Sequence, residues 1–374
     1  MRNSGKSLRY ERLKLVMQRE KLDAMVAVSP ENVFYMAETY IETQKSLRSR
    51  LAIALLPLEA EPVMIGCVIE ENTIEDETWI RDKHYYFEFR ESPVRLLADA
   101  ILERGLQNGR IGIELDYLSA LYFNELKAYL PQTEFIPCVN LFEQVRAVKD
   151  AHEIELLAKA ASCTRQAFER AVAETHIGET ERTLGLRTSK HMLELGCDKV
   201  DFLVMGTGKR SILVHALPDD SPLADGEEGR IDFGGLFGNY NSDVARTFVI
   251  GNADVKHRDV FSRMVEVYRA AIDACRIGNP ANSPYFVAKK KSEELKLPFN
   301  RVHEGHGLGL ACHEHPILSP DNHCLFEEDM VMCVEHAVHV DGYRYHIEDL
   351  IRITPNGPVI LSEPDFNPRL LHID

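Results

Sequence analysis

Apolar residues recur at helical spacing from about Leu8 to Leu22, with charge on the other side, and predict an amphipathic helix. The next run, Asp23–Val28, is short and apolar and reads as a buried strand. Ser29 then fits an N-cap with Pro30 at the first helical position, so a helix through Phe34, Tyr35 and Met36 is expected. Arg50–Leu56 and Pro62–Val68 read as strands, residues 94–106 repeat at helical spacing through Val94, Leu97 and Ile101, and Ile111–Leu115 returns to strand. Strands alternating with helices predict an α/β domain.

The pattern changes near Val145–Asp150. Asp150, with Glu153 three residues on, has the form of a capping box at the head of a long amphipathic helix through Ile154, Leu157, Ala161 and Phe168. Further helices are expected over about Glu179–Leu195 and Val255–Ile277. Strand-like runs fall at Phe202–Met205, Arg230–Phe233, Ser242–Ile250, Asp329–Val334 and His346–Thr354. The second half therefore reads as α+β, with helices around a largely antiparallel sheet. The expected domains are 1–145 and 146–374, and no short-period repeat is visible.

Composition narrows the partners. Of 374 residues, 45% are hydrophobic, enough for two cores. Against 43 Lys and Arg stand 59 Asp and Glu, a net charge of −16. A surface this acidic repels phosphate backbones and anionic lipid, so neither nucleic acid nor a membrane is an expected partner. No run of about 18 apolar residues occurs, and the first residues lack the apolar core of a secretory signal. The eight cysteines are scattered without a C-x-x-C pair, as expected of thiols in a reducing cytoplasm. Cys312 alone sits inside a motif that carries chemistry.

That chemistry begins at Gly229–Gly235. Asp232 lies on a strand, the chain turns around Gly238-Asn239, and it returns through Asn241-Ser242-Asp243. Two adjacent antiparallel strands would bring Asp232 and Asp243 together. Paired carboxylates repel, so either one takes a proton or a cation lies between them; the alternative is that both pair with Arg246 or cap turns. Downstream, His303, His306, His313 and His315 crowd a glycine-rich stretch. Gly305 and Gly307 flank His306 and let its backbone approach a neighbour closely. Glu335 ends the apolar run Met330–Val334, and Glu348 interrupts Ile347–Ile353. A carboxylate in a buried strand needs a partner, either a cation or, for Glu348, Arg344 or Arg352. Four carboxylates with one imidazole suit manganese, iron or cobalt better than a structural zinc. Two ions about 3.5–4 Å apart could share a water and bring its pKa towards neutrality.

The order Asp232, Asp243, His306, Glu335, Glu348, in the strings IDFGG…YNSDVARTF, EGHGLGLACHEHP and HIEDLIRIT, resembles the pita-bread metallopeptidases: methionine aminopeptidase, aminopeptidase P and prolidase. The segments DAMVAVSPENVFYM and VRAVKDAHEIELLAKAA look like the N-terminal domain and interdomain helix of the creatinase/prolidase group. The resemblance implies an α/β N-terminal domain of creatinase/prolidase type followed by an α+β pita-bread catalytic domain. It implies those five residues as ligands of two divalent ions, most often manganese, with cobalt, iron or zinc as alternatives. It further implies His215 as a substrate contact, His313 as a hydrogen-bond donor to the tetrahedral intermediate, Glu335 as ligand and proton shuttle, and a homodimer. The expected activity is metal-dependent cleavage of Xaa-Pro peptides by a metal-bridging hydroxide.

The departures bear on substrate. The family usually reads Glu-Pro where this chain has Glu335-His336, and Arg where it has His346. In prolidases that arginine helps hold the carboxylate of the C-terminal proline. His346, Arg344 and His339 are the candidate substrate-binding residues here, and Arg352 could also substitute. Lys209 and Arg210, just upstream of His215, form a basic pair that either binds a carboxylate or lies in a solvated loop. Two other functions compete: a creatinase-like hydrolase acting on a small non-peptide amide or amidine, and a non-catalytic scaffold. Dimethylsulfoniopropionate lyases of this fold carry an acid where this chain has Gly234, which argues against a lyase.

Overall fold

The computed structural model describes residues 4–252, 254–363 and 368–374. The chain forms two compact units, Met1–Arg146 and Ala147–Asp374.

The first unit is built on a six-stranded sheet of β1 (Ala24–Ala27), β2 (Ile53–Pro57), β3 (Val63–Cys67), β4 (Asp82–Tyr86), β5 (Arg110–Ile113) and β6 (Glu134–Pro137). Its order is β4-β3-β2-β1-β5-β6. β1, β2 and β3 are buried along their whole length, which is why they stand out as apolar runs. The helix Pro30–Ala37 starts as expected: Ser29 Oγ accepts from the Asn32 N–H, with Pro30 at the first position. β4 and β6 were not visible in the sequence, since both are sheet edges with polar, partly exposed residues.

The second unit contains β7 (Lys199–Thr207), β8 (Glu228–Phe237), β9 (Tyr240–Asn241), β10 (Val244–Ile250), β11 (Gly305–Gly307), β12 (Glu314–Ile317), β13 (Val331–Val340), β14 (Tyr343–Thr354), β15 (Gly357–Ile360) and β16 (Leu371–Ile373). The main order is β12-β11-β13-β14-β10-β8-β7, and every pair along it is antiparallel. Asp150 and Glu153 form the complete capping box at the start of the helix Ala151–Ala173. The observed β13 and β14 are longer than the expected runs, because their polar ends read as loop.

Strand alternation decides where the chemistry lies. Met332, Val334 and Val338 of β13, with Tyr345, Ile347 and Ile351 of β14, pack against Val260, Met264 and Tyr268 of the helix Val255–Ala274. Ile231 and Phe233 of β8, with Val244 and Phe248, pack with Phe168 and Ala171 of the helix Ala151–Ala173. The intervening residues point to the other face. These are Arg230 and Asp232 on β8, Glu335, Ala337 and His339 on β13, and Arg344, His346 and Glu348 on β14.

Candidate metal centre

Each acid is placed by a strand pairing. Asp232 lies beside Ala245 in the β8–β10 ladder, Ala245 lies beside Glu348 in the β10–β14 ladder, and Glu348 lies opposite Glu335 in the β13–β14 ladder. Asp243 directly precedes β10. It is held close because the Ser242 backbone packs on Gly234, where a Cβ would collide with the Ser242 carbonyl oxygen. A side chain at 234 therefore has no room. His306 enters on β11, opposite Cys333 of β13. Gly305 has φ +137°, and a Cβ there would collide with the Cys333 carbonyl, so glycine is what lets β11 lie against β13.

These pairings converge. His306 Nε2 is 3.8 Å from Asp243 Oδ2 and 3.6 Å from Glu348 Oε1. His306 Nδ1 lies 2.9 Å from the Gly307 carbonyl oxygen. Donation there fixes the tautomer whose Nε2 lone pair faces the acids. Ligand atoms of Asp243, His306, Cys333 and Glu348 all lie within 4.8 Å of one another, as do those of Asp232, His346 and Glu348. The two groups share Glu348.

The electrostatics are those of a site built around positive charge. Burial, and then the neighbouring acids, push Asp232, Asp243 and Glu348 well above the usual carboxylate range. Asp243 Oδ1 and Glu348 Oε1 are buried without a hydrogen-bond partner. Orphaned buried carboxylate oxygens are expensive, and hard divalent cations prefer such donors; the residues present fit a metal. Glu335 differs. Burial raises its pKa, but Arg301, His346 and His303 outweigh this and hold it well below the usual range. Arg301 NH2 is 2.8 Å, and His346 Nε2 3.1 Å, from Glu335 Oε2.

The structure thus brings Asp232, Asp243, His306, Glu335 and Glu348 together, and adds His346. That histidine is buried inside the cluster, with Nδ1 3.8 Å from Asp232 Oδ2, rather than on its rim. Burial lowers its pKa to about 4, so it is neutral at pH 7. His313 is exposed and stacks on His306 at a ring separation of 3.7 Å. His215 lies on an exposed turn, and among the described residues no contact with the acids is seen. Its turn is anchored by buried Arg230, which donates to the carbonyls of Ser211, Leu213 and Val214.

Several alternative partners are taken elsewhere. Among the described residues Arg246 pairs with Asp349, at 2.7 Å. Arg352 pairs with Asp329 at 2.6 Å and does not reach Glu348. Arg210 pairs with Glu181 and Asp219. His336, which directly follows Glu335, is fully buried with Nδ1 2.7 Å from Glu304 Oε2. Glu304 also receives Arg301 Nε at 3.3 Å. The sequence reading missed Arg301, Glu304 and Cys333. Only Glu304, an acid amid glycines, left a signal.

Residues 9–148 match the creatinase/prolidase N-terminal domain, and residues 155–355 match metallopeptidase family M24. The Xaa-Pro dipeptidase of Pyrococcus furiosus is 26% identical over 366 residues, covering 96% of this chain and 98% of that protein. The X-Pro aminopeptidase of Thermotoga maritima aligns with a TM-score of 0.84 at 23% identity, over 97% of this chain and 99% of that one. Dipeptidase PepE of Mycobacterium ulcerans aligns at 0.87 and 22%, over 100% and 99%. At that identity the structural likeness speaks for the fold, a creatinase-type N-terminal domain with a pita-bread catalytic domain. Because the M24 match spans more than half of its length, the chain belongs to metallopeptidase family M24, a family of divalent-metal enzymes.

Proposed function

We propose that this chain is a metal-dependent peptidase of the Xaa-Pro type, with its catalytic domain at 146–374 and the domain at 1–145 as an accessory. The observation that carries the reading is the buried carboxylate cluster with its two orphaned oxygens on Asp243 and Glu348. The names of the relatives, Xaa-Pro dipeptidase among them, support peptide as substrate.

In this reading Asp232, Asp243, His306, Glu335 and Glu348 hold two divalent ions, manganese by preference. Bound there, the ions would polarise the scissile carbonyl and acidify the attacking water. Glu335, kept ionised by Arg301 and His346, takes the proton from that water and passes it to the leaving nitrogen. His313 donates a hydrogen bond to the carbonyl oxygen as negative charge develops on it. Although the residue is exposed as a whole, partial desolvation of its ring, and then His306, lower its pKa to about 4, so it acts as a neutral donor. His215 contacts substrate from its exposed turn. Arg344, His339 and His346 shape the pocket. The protein works as a cytoplasmic homodimer.

The test is hydrolysis of Xaa-Pro dipeptides and tripeptides by manganese-loaded protein, with a chelator control. Chelator-sensitive cleavage is expected. Absence of cleavage by protein with confirmed metal content would overturn the peptidase reading in favour of a small non-peptide amide.

A further inference from the structure

The two groups of metal-ligating atoms differ in chemistry. Asp232, His346 and Glu348 offer oxygen and nitrogen alone, whereas Asp243, His306 and Glu348 share their group with the sulfur of Cys333. A second sulfur lies close by, since the Cys312 thiol donates to Asp243 Oδ2 at 3.2 Å. The thiols are thus gathered on the Asp243 side of the centre.

A buried thiol usually fills core space. Cys333 is fully buried, but strand alternation puts it on the face of Glu335, not on that of Met332 and Val334. In the β11–β13 ladder it is the direct partner of His306. Its thiol donates to the Asp243 carbonyl oxygen at 3.6 Å and also hydrogen-bonds the Glu348 carboxylate. It therefore contacts both residues whose carboxylate oxygens, Asp243 Oδ1 and Glu348 Oε1, are buried without a partner. The spacing suits a small tetrahedral ion. Metal–ligand bonds of about 2.0–2.3 Å place the corners of a tetrahedron about 3.3–3.8 Å apart. His306 Nε2 is 3.6 Å from Glu348 Oε1 and 3.8 Å from Asp243 Oδ2. All four donor atoms, the Cys333 sulfur included, fall within 4.8 Å of one another.

Resting on the reading of this cluster as a metal centre, we infer that Cys333 is a sulfur ligand, so that the His306 position takes a thiophilic divalent ion of the zinc class. The manganese preference then belongs to the sulfur-free position at Asp232 and His346. Thiolate is a soft donor that suits zinc and not manganese. On ligation the thiol proton passes to solvent. Cys312 keeps its hydrogen bond to Asp243 and orients that carboxylate.

Zinc outbinds manganese at most nitrogen and oxygen sites too, so the experiment detects sulfur directly. Cadmium, which reports thiolate ligation by an ultraviolet sulfur-to-metal charge-transfer band, is titrated into metal-free wild type, Cys333→Ser and Cys312→Ser. X-ray absorption at the zinc edge, on wild type loaded with one equivalent, looks for the same ligand without a variant. The cadmium band should appear in wild type and in Cys312→Ser. It should vanish in Cys333→Ser, with cadmium affinity lower by at least about 10-fold and manganese affinity unchanged. Zinc in wild type should have a sulfur neighbour at about 2.3 Å. A band that survives in Cys333→Ser or disappears in Cys312→Ser would overturn the sulfur ligand, as would zinc ringed by nitrogen and oxygen alone. Should Cys333→Ser fail to fold, the zinc spectrum and Cys312→Ser decide. Manganese bound by protein that shows no sulfur on cadmium or zinc would overturn the ligand and leave the metal centre and the peptidase reading intact. Failure to bind any of the three ions would overturn the metal centre as well.

Discussion

Glu335 and Glu348 are directly opposed partners in the β13–β14 ladder, two carboxylates on the same buried face. Like charges opposite one another weaken a sheet, and loss of water sharpens the repulsion. The neighbours resolve this unequally. Arg301 and His346 hold Glu335 ionised. Glu348 keeps an orphaned oxygen and a raised pKa, from burial first and from Glu335 second. A cation beside Glu348, Asp243 and His306 removes the conflict.

Asp243→Asn follows from this. The substitution keeps the shape and removes one negative donor, so metal content and turnover should fall together. Turnover should drop by at least about 10²-fold, as when a ligand shell is broken. Metal analysis alongside peptide hydrolysis decides the matter. Full turnover with both ions retained would show that Asp243 is no ligand.

His313→Ala separates chemistry from metal binding. His313 is exposed and stacked on His306, so its loss leaves the acids in place. Turnover should fall about 10²–10³-fold, the usual loss for one transition-state donor, with metal content unchanged. Loss of metal in this variant would make His313 a ligand instead.

The part of the centre that could be read in the sequence was the part that breaks a pattern. Glu335 and Glu348 are charges inside apolar strand runs, and Asp232 and Asp243 flank a glycine-rich turn. The residues that tune them break no pattern. Arg301 lies in an irregular segment, and Cys333 reads as one more core residue of β13. His346 was legible as a departure but not in its role, because only the cross-strand register places it against Glu335. The same contrast holds in the fold. β1, β2 and β3 are uniformly buried and apolar, whereas the edge strand Asp82–Tyr86 opens on Asp82 and Lys83 and is only partly buried up to Tyr86, so it has no apolar run to announce it.

Lys149 and Glu314 form an ion pair at 3.3 Å with both side chains 1% exposed. Glu314 Oε1 also accepts from the Ala311 N–H, so the pair anchors the turn that carries Cys312 and His313. Lys149→Met removes the buried cation that faces Glu314, which should cost about 3–5 kcal/mol. Thermal unfolding should report a fall of roughly 10 °C. Adding Glu314→Leu to the first substitution should restore much of that stability, because the buried carboxylate that faced Lys149 is gone as well. A double variant as unstable as Lys149→Met alone would show that hydrogen bonding by Glu314, not charge balance, is what matters.

Glu228 predicts a pH dependence of stability. It is fully buried on β8, with Ser211 nearby but neither carboxylate oxygen well hydrogen-bonded. Burial raises its pKa to about 8, against about 4.3 in an unfolded chain. The folded state therefore binds the extra proton between those values, and stability falls as pH rises through that window. Below about pH 4.3 both states are protonated and the group costs nothing extra. Glu228→Gln mimics the protonated form at every pH. It should leave the melting temperature nearly unchanged at pH 5 and raise it by several degrees, on the order of 5 °C, at pH 8. Thermal melts of both proteins between pH 5 and pH 8 test this. A difference independent of pH would show that Glu228 is ionised in the folded protein and has found a partner for its charge.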